Sequence, residues 1–117
     1  MEKEDFIIRA IDRIEKKGYT NIRANVEGYD CPSSFTKKDD EEVYTPDITG
    51  AKSGGKDYFE IALKTENVGR IERKWKLLST LAKMKNGSFF LFAPRGHRAF
   101  AEKITRQKNL NAEILNI

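Results

Sequence analysis

The chain has 117 residues, 34% of them charged, and a formal net charge of +4. This length suits one domain, expected over 1–117, and the recurrence of large apolar side chains excludes a disordered chain. No apolar run approaches the roughly 20 residues of a membrane helix and the first residues, MEKED, are unlike a signal peptide, so we expect a cytoplasmic protein without membrane contact.

The first part of the chain predicts a helix, a strand and a long loop. Residues 4–17 repeat apolar side chains at helical spacing, and Gly18 is typical of the residue that ends a helix. Residues 19–26 alternate apolar and polar side chains, which predicts a strand with one solvated face. Residues 27–42 have little periodicity and are expected to be a linker. The one cysteine, Cys31, lies there and excludes an internal disulfide and a cysteine-based zinc site.

Two strands joined by a glycine turn follow. Residues 43–49 and 58–65 are rich in β-branched and aromatic side chains, which favour strands. Residues 53–56, SGGK, supply the chain reversal because glycine reaches positive φ without a steric clash. Pairing of the two strands would bring Asp47 near Lys64.

The remaining elements alternate between helix and strand. They are a helix between Asn67 and 86–87, a buried strand over 88–93, a helix over 95–108 and a strand over 112–117. The resulting order is α-β-β-β-α-β-α-β. It predicts an α/β fold, in which a mixed central sheet of about five strands is flanked by helices.

The strand predicted over 58–65 has one apolar and one polar face, because side chains two residues apart point to the same side of a strand. The apolar set belongs in the core. The polar set either meets solvent or builds a site, and it consists of Glu60, Ala62, Lys64 and Glu66.

Pro46-Asp47, the hairpin and the segment IALKTE over 61–66 together resemble the PD-(D/E)xK nuclease superfamily, which includes restriction endonucleases and archaeal Holliday junction resolvases. The resemblance extends over nearly the whole chain and implies a restriction-endonuclease-like core. It also implies that Asp47 is the first metal ligand and that Lys64 is the catalytic lysine, which assists the attacking water.

The second acid of that family, two residues before the lysine, falls on Ala62, which cannot bind a metal. Glu60 and Glu66 lie on the same face, each displaced by roughly 6.6 Å along the strand. Glu60 lies on the Asp47 side of the lysine and is the preferred substitute as catalytic acid and metal ligand. A migrated acid and a degenerate site both remain open.

An active site of this kind would hydrolyse phosphodiester bonds in DNA with Mg²⁺ or Mn²⁺. One or two carboxylates and a substrate phosphate usually hold Mg²⁺, so Asp47 and Glu60 meet the minimum. The resemblance to the resolvases also implies a homodimer. The alternative is a catalytically degenerate protein of the same fold that binds nucleic acid or a protein partner.

Basic side chains dominate the second part of the chain. Residues 1–67 carry 11 basic and 15 acidic side chains, whereas residues 68–117 carry 11 basic and 3 acidic ones. This asymmetry indicates a polyanionic partner. The side chains expected to contact phosphate are Arg70, Arg73 and Lys74 on the helix after the lysine strand, and Arg95 and Arg98 near the start of the next helix.

Overall fold

The computed structural model describes residues 2–38 and 41–117. The elements in chain order are α1 (Lys3–Lys16), β1 (Thr20–Ala24), β2 (Phe35–Thr36), β3 (Val43–Tyr44), β4 (Ile48–Lys52), β5 (Gly55–Ile61), α2 (Val68–Met84), β6 (Phe89–Ala93), α3 (Arg98–Gln107) and β7 (Glu113–Asn116). The predicted α/β class and the mixed five-stranded sheet are confirmed.

The main sheet has the strand order β1-β4-β5-β6-β7. The pairs β1/β4 and β4/β5 are antiparallel, whereas β5/β6 and β6/β7 are parallel. Each parallel connection contains a helix, α2 after β5 and α3 after β6, as parallel strands require a crossover. The carboxyl ends of the three parallel strands therefore share one edge of the sheet, where ligands commonly bind in α/β folds.

The helices cover the two faces of this sheet. On one face α1 packs against β1 and β5, and its buried side chains Ile7, Ile11 and Ile14 form one apolar cluster with Phe59 and Phe92. On the other face α2 packs against β5 and β6, while α3 packs against β6 and β7. Because β6 lies between both layers, its side chains are buried on both sides, as its continuous apolar sequence predicts.

The predicted linker contributes one strand of a small hairpin, β2, and the partner strand β3 begins directly after the linker. The strands β2 and β3 pair antiparallel, with Phe35 opposite Tyr44. Tyr44 is fully buried, and the ring of Phe35 makes an edge contact with Tyr58 on the main sheet. The hairpin thus packs on the sheet instead of extending into solvent. Asp39 and Asp40, between β2 and β3 in the sequence, lie outside the described residues.

Two predicted strands have the wrong ranges: one is interrupted and the other ends earlier than expected. The segment expected as one strand over 43–49 is divided into β3 and β4 by an interruption at 45–47, where Pro46 lacks the N–H that a sheet ladder requires. The next strand ends at Ile61 instead of continuing to 65, so Lys64 lies in the loop before α2. The reversal predicted over 53–56 is confined to Ser53 and Gly54, which have positive φ, because β5 already begins at Gly55.

None of the helices in the described part of the chain has the length and apolar character that a bilayer crossing requires.

Candidate functional site

Asp47 and Glu60 form a buried pair of carboxylates, and each accepts a hydrogen bond from a backbone N–H group at or next to the other residue. Each residue is 1% exposed. The Asp47 N–H donates to Glu60 Oε2 over 2.7 Å, and the Ile61 N–H donates to Asp47 Oδ2 over 2.9 Å. Each side chain therefore accepts a hydrogen bond from the strand segment that carries the other, which fixes both carboxylates at the edge of the sheet.

The strand register explains why these two residues meet. Ile48 pairs with Phe59 across β4 and β5, so the preceding position, Asp47, lies level with Glu60. The alternation of β5 turns Phe59 towards α1 and Glu60 towards α2. This register accounts for the contact between Asp47 and Glu60, the residue predicted to lie on the Asp47 side of Lys64.

Two lysines complete a cluster that we call the buried quartet: Lys3, Asp47, Glu60 and Lys74. Lys3 Nζ lies 2.9 Å from Asp47 Oδ1, and Lys74 Nζ lies 3.1 Å from Glu60 Oε1. Lys74 is almost wholly buried, whereas the Lys3 side chain is 40% exposed. The quartet has no net formal charge when all four groups are ionised, and it connects α1 and α2 to the edge of the sheet.

The environment shifts the proton equilibria of this quartet. Burial, followed by the charge of Asp47, raises the pKa of Glu60 from 4.5 to about 7, although Lys74 and Lys3 oppose the shift. Partial burial lowers the pKa of Lys3, but Asp47 and Glu60 together raise it by more, so the net direction is upward. Glu60 can therefore gain or lose a proton near neutral pH, as a general acid or base must.

A cleft borders the quartet at Lys3 and Glu60. Its volume is about 320 Å³, and Lys3, Glu60, Thr65 and Arg70 contribute to its walls. Each of the four carboxylate oxygens already accepts one N–H group. An ionised carboxylate has about four acceptor positions, so every oxygen keeps capacity for a further partner.

The two carboxylates are just enough protein ligands for a hard divalent cation such as Mg²⁺. Two carboxylates supply the oxygen ligands that Mg²⁺ prefers, and water or a phosphate would supply the others. Within residues 2–38 and 41–117, no group of three or more His, Cys, Asp and Glu side chains is arranged to hold a metal. The site would therefore depend on its ligand to complete a metal shell.

The other positions of the predicted motif do not join the quartet. Lys64 is exposed, forms no ion pair within the described residues, and donates its backbone N–H to His97 Nδ1 over 2.8 Å. The expected ion pair of Lys64 with Asp47 is therefore not seen among the described residues, and Lys64 lies three residues beyond the end of β5. Ala62 is fully buried in the apolar cluster that contains Trp75, and Glu66 is exposed.

Arg70 and Arg73 hold the hairpin next to the cleft. Both guanidinium groups pair with Glu42. Arg70 Nη2 also donates to the Val43 carbonyl over 3.0 Å, and Arg73 Nε donates to the Tyr44 hydroxyl over 3.2 Å. A phosphate at these positions would compete with the Glu42 carboxylate, whose pKa is lowered by the hydrogen bonds from Arg70 and Arg73.

The remaining predicted phosphate contacts have different surroundings. Lys74 is not available on the helix surface for the predicted phosphate contact, because its ammonium group is buried against Glu60. Arg98 joins α3 to β7 through Asn116, with 2.9 Å between Nη1 and Oδ1, and it pairs with Glu102. Arg95 is exposed and lines an open cleft of about 630 Å³ together with Lys64.

Sequence patterns contained a signal for both lysines of the quartet. Lys3 lies four residues before Ile7, and Lys74 lies three residues after Ile71, so each extends the apolar stripe of its helix. A charged side chain within such a stripe needs an ionic partner in the interior. That rule marks both lysines as candidates for buried ion pairs, but it does not identify the carboxylates that they contact.

Comparison with known proteins gives no assignment: no family model, curated protein or solved structure matches the chain.

The ion pair between Glu60 and Lys74 predicts strong coupling in a double-mutant cycle. We expect Lys74→Met to lower the free energy of unfolding by about 3–5 kcal/mol at pH 8, because it leaves the buried Glu60 carboxylate without its partner, and to lower it less in a Glu60→Gln background. The double variant should lose less than the sum. Lys76→Met, at an exposed position of the same helix, should change stability by less than about 0.5 kcal/mol. Denaturant unfolding of the four variants and the wild type measures these free energies. Additive effects of Lys74→Met and Glu60→Gln would contradict the pairing.

The raised pKa of Glu60 predicts how stability changes with pH. Between pH 4.5 and 7 the folded protein keeps a proton that the unfolded chain has released, so this group makes stability fall as pH rises. We expect the stability of the wild type relative to Glu60→Gln to decrease over this window. The exposed Glu66→Gln is the control and should show a nearly constant difference. A wild-type advantage that grows with pH would refute the raised pKa.

Proposed function

We propose that this chain is a metal-dependent nuclease of the PD-(D/E)xK type, which hydrolyses phosphodiester bonds in DNA. The observation that carries the proposal is the buried Asp47 and Glu60 pair, whose members are 1% exposed and joined by a 2.7 Å hydrogen bond. Glu60 is the acid that would replace the one missing at Ala62. Of the two alternatives, a migrated acid and a degenerate site, we thus propose the migrated acid.

The arrangement of elements supports a restriction-endonuclease-like core. The order α-β-β-β-α-β-α-β agrees with the observed order when the small hairpin of β2 and β3 is counted as an insertion before β4. The carboxylates lie where β4 begins and β5 ends, beside the carboxyl edge of the parallel strands. This location favours a ligand site, although fold alone does not determine activity.

Asp47 and Glu60 would hold Mg²⁺ or Mn²⁺. When bound, such an ion polarises a phosphoryl oxygen and lowers the pKa of a coordinated water. Asp47 and Glu60 must both be ionised to act as ligands, and Lys3 and Lys74 favour that state in Glu60. Lys3 has to yield part of its contact with Asp47, which its 40% exposed side chain allows.

A lysine near the reacting phosphate would stabilise the negative charge that develops there. The resemblance assigns this role to Lys64, which has an exposed side chain on the loop after β5. Lys74 is a second candidate, because its ammonium group is 3.1 Å from Glu60 Oε1. Arg70 and Arg95 would contact the flanking backbone, and a homodimer would present two such sites to two strands.

A catalytically degenerate nucleic-acid-binding protein is the second candidate. It is favoured by one specific observation: Lys3 and Lys74 already neutralise both carboxylates, so the quartet is electrostatically complete by itself. In that case the quartet serves stability, and the exposed basic side chains bind the nucleic-acid backbone.

The nuclease proposal predicts metal-dependent cleavage that requires both carboxylates. We would incubate end-labelled single-stranded, duplex and branched DNA with the protein and Mg²⁺ or Mn²⁺. Asp47→Asn and Glu60→Gln should each reduce the cleavage rate about 100-fold or more, because each removes one of the two carboxylates that would hold the metal ion. Lys64→Ala and Lys74→Met, tested in parallel, identify the assisting lysine by the larger loss of rate.

Glu66→Gln is the matched control, since it removes an exposed carboxylate from the same segment and should leave cleavage unchanged. Circular dichroism and DNA binding by fluorescence anisotropy separate loss of catalysis from loss of folding or affinity. DNA binding without cleavage on any substrate would support the degenerate protein. Full activity in Asp47→Asn would place the reaction elsewhere.

A further inference from the structure

A second cluster of positive charge lies at the other end of the β4 and β5 hairpin. Arg23 of β1, Lys56 of β5 and Lys85 at the end of α2 surround a trough of about 400 Å³, which we call the basic trough. The other lining residues are neutral: Asn21, Thr49, Gly50, Ala51, Gly54 and Gly55. Three cations from three separate elements thus converge on one concave surface with no acidic side chain in its wall.

Strand pairing aligns these groups on one side of the sheet. Arg23 pairs with Thr49, and Lys56 pairs with Ala51, so their side chains share a face. Glu60 belongs to the same face, four residues beyond Lys56, or about 13 Å along the strand. The basic trough and the buried quartet therefore lie on the same face of the sheet.

Backbone contacts fix Lys85 beside Lys56. The Lys56 N–H donates to the Lys85 carbonyl over 3.2 Å. Two glycines allow this close approach: a Cβ on Gly55 would lie 2.2 Å from the Asn86 carbonyl oxygen, and one on Gly87 would lie 1.8 Å from the Lys56 carbonyl oxygen. The proximity of the two lysines is consequently built into the fold.

The charges of the basic trough are not neutralised by nearby acids. Arg23, Lys56 and Lys85 form no ion pair within residues 2–38 and 41–117. Asp57, adjacent to Lys56 in sequence, instead accepts from the Tyr19 hydroxyl and from the Ser88 N–H. Burial, then the charges of Lys85 and Arg23, lower the pKa of Lys56, as expected for cations without a counter-ion.

We propose that the basic trough is a phosphate-binding site, in which Arg23, Lys56 and Lys85 together hold a phosphate group. A guanidinium group can donate two parallel hydrogen bonds to phosphate, and the two ammonium groups supply point charges. The phosphate belongs either to a nucleic-acid backbone or to a small phosphorylated molecule. This proposal does not require the quartet to cleave DNA.

The test uses the full chain, labelled with ¹⁵N, and two probes. Pyrophosphate represents a small phosphorylated ligand, and a (dT)₁₂ oligonucleotide represents the nucleic-acid backbone. We expect amide shifts at 54–56 and 85–87 with pyrophosphate, and a loss of affinity of at least tenfold in the triple variant Arg23→Gln, Lys56→Gln, Lys85→Gln. If a nucleic-acid backbone is the natural source of the phosphate, (dT)₁₂ also binds in the basic trough. The triple variant then reduces the slope of log affinity against log salt concentration by about 2.

The matched control is Lys76→Gln, Lys103→Gln, Arg106→Gln, which removes the same charge from exposed positions on α2 and α3. It should keep the affinity for pyrophosphate. An equal loss in both triple variants, or no amide shift at the trough with either probe, would overturn the proposal. Asp47→Asn should still bind pyrophosphate, so a failure of the nuclease proposal and a failure of the phosphate site give different results.

Discussion

Two carboxylates withdrawn from water at the edge of a sheet are the constraint on which this structure depends. An isolated buried charge is strongly unfavourable, so Asp47 and Glu60 need hydrogen bonds and counter-ions inside the protein. Backbone N–H groups of the opposite segment supply the hydrogen bonds, and Lys3 and Lys74 supply the charges. The start of α1 and the middle of α2 are thereby tied to the sheet, with the cleft between them.

The same contacts allow function and oppose it. Lys3 and Lys74 lower the cost of keeping Glu60 ionised, which under the nuclease proposal would favour binding of a divalent cation. They also compete with that cation for the same oxygens. The raised pKa of Glu60 reflects this balance, because burial and Asp47 together outweigh both lysines. Whether the quartet is a catalytic or a structural unit therefore depends on how readily the partly exposed Lys3 yields to a metal.

Much of the fold follows from local patterns in the sequence, and the site follows only in part. Periodicity identified the three helices, and the glycine turn at Ser53-Gly54 identified the central hairpin. Strand alternation predicted which face Glu60 occupies, but the expected register brought Asp47 to Lys64, whereas the observed register places it level with Glu60. The ends of the strands were not predicted either, since Pro46 interrupts one strand and β5 stops at Ile61. Lys3 was missed because its partner is 44 residues away, and only tertiary packing brings them together.

The most direct test of the central claim, that Asp47 and Glu60 form one coupled dicarboxylate, is a pH titration of the Glu60 side-chain carboxyl by ¹³C NMR. In the wild type we expect a midpoint near 7. Asp47→Asn removes the neighbouring negative charge, so the midpoint should move to lower pH. A Glu60 midpoint near 4.5 in both proteins would contradict the buried, coupled pair and with it the account of the site.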